Sequence, residues 1–567
     1  MTKKFIGAIG AVVCCTVLCF AFAPMLHAAS QQVLTGIVKS SAEGAMEGVL
    51  VSAKRVGGSI TTTVVTDKSG RYSFPADRLA PGKYNITMRA TGYDLSGGPK
   101  AVNIGKASQP LNLFLVKTKD LGDQLSWAEW LISIPGTSAQ KNQFYACVGC
   151  HTPQAITKSK YEPAEWPAII LRMRTAGPAA TLKNPVSVPY KGFASPNDAA
   201  FGEFLSSINL SHGRKTWDFE LKTLPRPTGK ATKAIVTEYD LPRSDALPGD
   251  VVRDDEGMIW YEDFATAALG RVDPRTGAVK EWTPPENKKG YPLGALDLEL
   301  GPDGNPWIAR VFQAGVSKFD RKTETFRTWG IPDEHNNDHT RTAMMAIDHN
   351  GIVWFDDPFN RRMYILNPAT DEIASHSAYP TYKIPDWKTM PDPGLGNRLP
   401  GDHGHFMYGV AVDSKGTGYW ADLSGGNIGE MDPKTGESKL YPVPSSNAGP
   451  RRIHMNEKDE LWFGENFAFK IGMFDTKSKQ FKEWDDPTPW NAVYDAVSDK
   501  TGYVWAAGWT TGLVSRLNPK TSEIVQYLLP GFNAEIRRVS VDNSVDHPIF
   551  WAGENAEPRV VKVEVLE

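Results

Sequence analysis

A tryptophan returns seven times in the C-terminal part of this 567-residue chain, at Trp260, Trp307, Trp354, Trp420, Trp462, Trp505 and Trp551. All but one of the gaps fall between 42 and 47 residues. A fixed period of this length marks a repeat architecture, in which each unit buries its apolar face only against its neighbours. An Asp and a Gly usually precede the tryptophan in a hairpin turn, as in Asp254-Asp-Glu-Gly257, Asp348-His-Asn-Gly351, Asp413-Ser-Lys-Gly416 and Asp499-Lys-Thr-Gly502. A second turn follows, as in Asp273-Pro-Arg-Thr-Gly277 and Asp432-Pro-Lys-Thr-Gly436, and then an outer strand such as Lys280-Glu-Trp282. Four strands per repeat, seven times, predict a seven-bladed β-propeller over 234–567, with the tryptophans packed between blades.

The apparent outer strand Ala234 to Tyr239 precedes the first repeat, and the last repeat ends with Val560 to Val565. The early strand is therefore expected to complete the last blade and remove the exposed edges. The one long gap, 66 residues, carries its excess between about Tyr379 and Gly404, on a Pro- and Gly-rich loop bearing Asp402-His403-Gly404-His405. His403 and His405, spaced by one residue, are weak candidates for metal binding, for contact with a haem edge or for catalysis.

At the other end, Lys3 and Lys4 precede an apolar run from Phe5 to about Ala23, closed by Ala28 and Ala29. This pattern predicts an export signal over 1–29, cut after Ala28 or Ala29, with an uncleaved membrane anchor as the alternative. Cleavage removes Cys14, Cys15 and Cys19, so the exported chain keeps only Cys147 and Cys150 and has no disulfide framework. It also removes two of 62 basic residues against 65 acidic ones, giving 60 − 65 = −5, which argues against nucleic acid as a partner. After cleavage no membrane span is expected, and the location is periplasmic or secreted.

Residues 32–118 carry short strand-like runs rich in β-branched and aromatic residues, with turns at Asp67-Lys-Ser-Gly70 and Pro81-Gly82, and predict a β-sandwich. The landmarks Gly36-Ile-Val38, Gly48-Val49, Pro81-Gly-Lys-Tyr84 and Gly92-Tyr93 resemble the carboxypeptidase regulatory-like domain. That resemblance implies a binding or spacer module without catalytic residues.

Between 120 and 215 the period turns helical over Leu125 to Ile134, Gln140 to Ala146, Glu165 to Arg174 and Asn197 to Ile208. This stretch holds Cys147-Val148-Gly149-Cys150-His151. Two thiols separated by two residues and followed by an imidazole are what covalent haem attachment needs. A zinc site would need further ligands and a thioredoxin-like site a βαβ context.

The segment resembles a class I cytochrome c domain. The expected packing residues are Phe144 on the motif helix and Phe201, Phe204 and Leu205 on the last helix. The resemblance implies one haem c per chain, held by Cys147 and Cys150, with His151 as proximal ligand and the Pro163 carbonyl as acceptor for its other ring nitrogen. Met173 is the expected distal ligand; His212 or an open position are the alternatives. Residues 216–233 are expected to be a linker.

The propeller repeats, as in Asp459-Glu-Leu-Trp-Phe-Gly-Glu465 and Gly426-Asn-Ile-Gly-Glu-Met-Asp432, resemble the streptogramin (virginiamycin B) lyase family. That family opens a cyclic depsipeptide with a histidine base beside glutamates that hold magnesium. Here the aligned inner positions are Gly249, Leu296, Ala343, Tyr408, Arg451, Tyr494 and Arg537, none of them histidine. Glu465 matches a family glutamate and is a weak catalytic candidate; a metal ion at the propeller axis has no other support. Polar residues expected at the axis are Glu262, Asp263, Arg310, Asp356, Asp357, Asp422, Glu465, Trp509 and Glu554, with Arg451 and Arg537.

The fold class is thus multidomain and mainly β: a sandwich, a small all-α cytochrome c-like domain and a propeller. The leading functional expectation is an exported mono-haem cytochrome for electron transfer, or an oxidoreductase subunit. Its partner would be a redox protein, and the propeller would serve as a partner- or substrate-binding platform for a small molecule. The alternatives are a lyase using the propeller channel and an envelope binding protein.

Overall fold

The computed structural model describes residues 1–2, 32–105, 109–148, 151–175, 194–264, 268–381, 404–532 and 534–566. The expected export signal, Cys150 and His403 lie outside them.

Why the tryptophan repeat makes blades is visible at Asp254 and Asp499. In each hairpin one carboxylate oxygen accepts the amides two and four residues on, at 2.8 to 3.1 Å, and the other accepts the indole N–H of Trp260 or Trp505, at 2.7 and 2.9 Å. The glycine of the turn has φ of +83° at Gly257 and +87° at Gly502, a region that a side chain disfavours. One aspartate thus fixes the turn and orients the buried indole. Trp260, Trp307 and Trp462 then stack on outer-strand Trp282, Trp329 and Trp484 at 5.5, 5.1 and 5.4 Å.

Six four-stranded antiparallel sheets follow in order, from Pro248–Arg253 to Glu523–Leu528. The seventh blade is built from both ends of the propeller: Ser540–Asp542, Ile549–Glu554, Arg559–Val565 and then Ala234–Asp240. The closing strand pairs antiparallel with the last one from Ala234↔Val565 to Asp240↔Arg559, as the sequence predicts.

Its other edge is not exposed. Ala234–Asp240 also pairs with Ile60–Val65 of the N-terminal sandwich, from Ile235↔Val64 to Tyr239↔Ile60. The sheet continues through Leu50–Arg55, Gly82–Arg89 and Lys100–Ile104, so sandwich and seventh blade share eight strands. Arg78 of the sandwich reinforces the join with two 3.0 Å bonds to Glu564. The second sandwich sheet holds Gln32–Ser40, Leu113–Lys117 and Tyr93–Leu95.

The predicted helices are α1 (Trp127–Ser133), α2 (Ser138–Tyr145), α4 (Trp166–Thr175) and α5 (Asp198–Ile208), with a short α3 (Gln154–Thr157) that the periodicity missed. Capping boxes start α1 at Ser126/Glu129 and α2 at Thr137/Gln140. Phe144, Phe204 and Leu205 are buried together, with Phe201 at their margin. No helix among the described residues is long and apolar enough to cross a membrane.

Residues 216–233, expected to be a linker, form a bonded strap. Trp217 packs edge-on against Trp130 at 5.0 Å, Leu224 N–H donates to Glu129 at 3.0 Å, and Arg226 Nε donates to the Glu47 carbonyl at 2.9 Å. The chain is therefore tied to helices and sandwich before it enters the ring.

Because Ala234–Asp240 satisfies two strand edges at once, deleting 230–242 is expected to abolish the single cooperative melting transition. Thermal unfolding followed by circular dichroism checks this; an unchanged transition would count against the closure.

Candidate functional site

The inner strand of each blade begins, and the second strand ends, on one face of the ring, and the helices lie on that face. Ala128 N–H donates to the Thr510 carbonyl at 3.0 Å, and the Tyr145 hydroxyl donates to Asn466 Oδ1 at 2.7 Å. Tyr145 also meets Phe467 edge-on at 6.4 Å. One apolar cluster runs unbroken from Trp127, Phe144 and Val148 to Tyr408, Tyr494 and Trp509 of the propeller. Cys147 and Val148, which follow Tyr145 closely in the chain, pack in the same cluster.

Beneath Tyr145 is Arg451, fully buried, its guanidinium 3.9 Å from the Tyr494 ring, 4.4 Å from Trp509 and 4.9 Å from Tyr408. Arg451 Nη1 donates to Asn466 at 3.1 Å, and the Tyr408 and Tyr494 hydroxyls bond each other. Cation–π contacts and aromatic walls thus fill three of the seven inner-turn positions, Tyr408, Arg451 and Tyr494. Trp509 donates to Glu535 at 3.1 Å, and burial pushes the Glu535 carboxyl up to about 7.

The axis itself is lined by residues one step further along the inner strands, which the sequence reading missed. Arg452 bonds Asp250 at 2.8 Å and Asp297 at 3.0 Å, and Arg538 bonds both of these and Glu299. These residues come from the first, second, fifth and seventh blades, so the bonds cross the ring. Burial opposes ionisation of Asp297, but the two guanidiniums outweigh it and hold its carboxyl below the usual range. The signal was present: the residue after each inner-turn position reads Asp250, Asp297, Met344, Gly409, Arg452, Asp495 and Arg538.

Of the residues expected at the axis, Glu262 accepts the inner-strand amide of Asp250 at 2.9 Å and Asp356 those of Ala343 and Met344 at 3.0 and 2.7 Å, while others pair at the ends of the second strands. Asp263 pairs with Arg243, Asp357 with Asn360, and Asp422 with His405. Glu465 is buried, and among the described residues neither of its carboxyl oxygens has a hydrogen-bond partner of good geometry. Burial, with Glu483 beside it, pushes its carboxyl up to about 9. Glu554 is similar: burial and Glu238 push it up to about 8. Among the described residues no three His, Cys, Asp or Glu side chains are grouped to hold a metal ion.

Residues 33–115 match the family model of the carboxypeptidase regulatory-like domain. No curated protein matches the chain. Among solved structures, virginiamycin B lyase from Staphylococcus aureus is 17% identical, covering 59% of this chain and 99% of its own, with a TM-score of 0.48. A streptogramin B lyase structure is 19% identical over 60% of this chain and all of its own, with a TM-score of 0.49. U3-55K, 10% identical over 58% of this chain and 98% of its own, gives 0.42. The ring described above rests on its own strand pairing.

In the helical layer Cys147 is half-buried where α2 ends, its N–H donating to Phe144. His151 is half-buried, and its Nδ1 lies 3.0 Å from the Thr152 carbonyl rather than at Pro163 as expected. The Pro163 carbonyl faces α5 instead, where a Cβ at Gly202 would lie 3.0 Å from its oxygen. Burial pulls the imidazole below its ordinary pKa, which favours the neutral form. Met173 on α4 is 39% exposed. His212, the alternative ligand, has its Nδ1 2.8 Å from Glu162. The buried indole N–H groups of Trp127, Trp130 and Trp166 lack acceptors among the described residues.

Because the folded pKa of Glu465 is raised from 4.5 to about 9, the folded state holds the proton longer than the unfolded one. Its contribution to stability is greatest in acid and is lost as pH rises between those values. Glu465→Gln is expected to melt closer to its acid value at pH 9 than the wild type does, as parallel melts from pH 5 to pH 9 would show.

Proposed function

We propose that the protein is an exported c-type cytochrome carrying one haem c, used for electron transfer or as an oxidoreductase subunit. The observation that carries this reading is the Cys147-to-His151 pentapeptide at the end of a helix anchored by Tyr145 to the propeller face. Cys147 and Cys150 would hold the group covalently, His151 would be the proximal ligand and Met173 the distal one. The bound group would supply a one-electron redox couple.

Residues already in place fit that role. The bond from Nδ1 to a backbone carbonyl fixes the imidazole and leaves Nε2 as the ligand atom. The unsatisfied indole N–H groups of Trp127, Trp130 and Trp166 are donors suited to a carboxylate-bearing group. The propeller would offer the platform on which a redox partner protein or a small-molecule substrate sits. A periplasmic or secreted location agrees with the export signal.

A second reading, in which the propeller face itself binds or transforms a small molecule, draws support from Glu465, a buried carboxyl whose oxygens lack a hydrogen-bond partner among the described residues. The lyase form of that reading lacks the family's histidine base at every inner position. Glu465 could act only as a proton donor at neutral pH, since its proton is retained there.

Protein made in a cytochrome-maturing host is expected to show a covalent low-spin haem spectrum that Cys147→Ala abolishes. Met173→Ala is expected to lower the reduction potential, because a thioether ligand raises it. A colourless product would overturn the first reading, and an unchanged potential would remove Met173 as ligand.

A further inference from the structure

Arg89 belongs neither to the haem-type motif nor to the axial ion-pair network. It ends the strand Gly82–Arg89 of the sandwich and reaches the end of the sixth blade, where Nη1 donates to the carbonyls of Leu529 and Gly531. Its guanidinium also lies over the Phe532 ring, 4.9 Å from the centroid. The residue is only 3% exposed.

A guanidinium carries five N–H donors in a planar fork, and Nη1 supplies two of them. Among the described residues Nε and Nη2 make no hydrogen bond, and no carboxylate forms an ion pair with Arg89. Burial pulls the guanidinium down to about 10, against the weaker attraction of Glu129. Glu129 itself is taken up elsewhere, since its carboxylate accepts the Ser126 amide and hydroxyl and the Leu224 amide at 2.8 to 3.0 Å. Arg89 therefore bears the cost of leaving water without the return of a paired anion. The two carbonyls account for Nη1 and not for the rest of the fork.

A cavity supplies the second, independent observation. Arg89 lines a cleft of about 450 Å³ where sandwich, helical layer, strap and sixth blade meet. That volume, and a place between domains, are those of small-molecule sites. Aliphatic residues face each other across it, Leu224 and Pro225 from the strap and Leu513 and Val525 from the blade. Lys230 and Glu523, paired at 2.6 Å and both exposed, stand at its mouth. Along the lining Arg89, Arg226 and Lys230 are set against Glu129 and Glu523, which leaves one positive charge.

We propose that this cleft binds a small monocarboxylate with an aliphatic body, the carboxylate supplying the counter-ion that Arg89 lacks. The Nε–Nη2 edge of the fork is shaped to receive a carboxylate through two parallel bonds, and Nη1 stays committed to Leu529 and Gly531. The aliphatic walls bury the body of the ligand, which an inorganic anion does not have. Because the cleft is built from four parts of the chain, its ligand holds them together. The site stands apart from the haem reading and does not depend on haem attachment.

The test titrates cyclohexanecarboxylate into the full chain, followed by calorimetry and by the melting midpoint. Cyclohexanecarboxamide serves as the neutral isostere and inorganic phosphate as the anion without an apolar body. The acid is expected to bind at one site, at least about tenfold more tightly than the amide, the scale of a hydrogen bond to a charged group. It is expected to raise the midpoint, since it binds only the folded chain, and phosphate to leave it unmoved. Arg89→Gln is expected to abolish the preference for acid over amide. No binding of the acid, equal binding of acid and amide, or equal binding of acid and phosphate would overturn the proposal. Should Arg89→Gln fail to fold, Ala231→Trp decides it, because it fills the cleft from the strap and leaves Arg89 in place. Loss of acid binding in that variant is expected, and binding as tight as in the wild type would overturn the site.

Discussion

Everything in this molecule depends on one strand, Ala234–Asp240, having both of its edges paired. A propeller that ended at its last strand would leave a row of backbone donors and acceptors exposed. The chain closes the ring with a strand from before the first repeat, and it covers that strand's remaining edge with Ile60–Val65 of the sandwich. Ring closure and attachment of the N-terminal domain are thus one set of hydrogen bonds. The sandwich is not a bead on a string, and the strap over 216–233 is held at several points between its ends.

That arrangement determines where the helical layer can go. The helices lie in sequence between the sandwich and the strap, and both of these are fastened to the seventh blade. The layer therefore folds down on the face where the second strands end, and Tyr145 reaches Asn466. The face that a propeller ordinarily leaves open to ligands is here partly covered, with Arg451 enclosed by Tyr408, Tyr494 and Trp509 beneath the cover. Burial of so many polar groups explains the raised carboxyls of Glu465, Glu535 and Glu554 on this side of the ring.

Much of the fold was legible in the sequence because its causes are local. Asp254 reaches only six residues to Trp260, and the same distance recurs at Asp499 and Trp505. Capping boxes and apolar periodicity likewise place four of the helices within a few residues. What escaped was the short helix Gln154–Thr157, one turn long, and the use of the supposed linker as a strap, whose bonds go to residues far away in the chain.

The sequence by itself determined the repeat, the closing strand and the sandwich, all of which are written within a turn or a strand. Only the tertiary structure decided which polar residues meet. Arg452 and Asp250 are 202 positions apart and bond across the ring. Among the residues expected at the axis, Glu262 meets the inner-strand amide of Asp250 whereas its neighbour Asp263 turns to Arg243, because alternation along a strand sends adjacent side chains to opposite faces. The pairing of His405 with Asp422 has the same origin: strand register and a glycine without a side chain bring together two groups that no spacing rule connects.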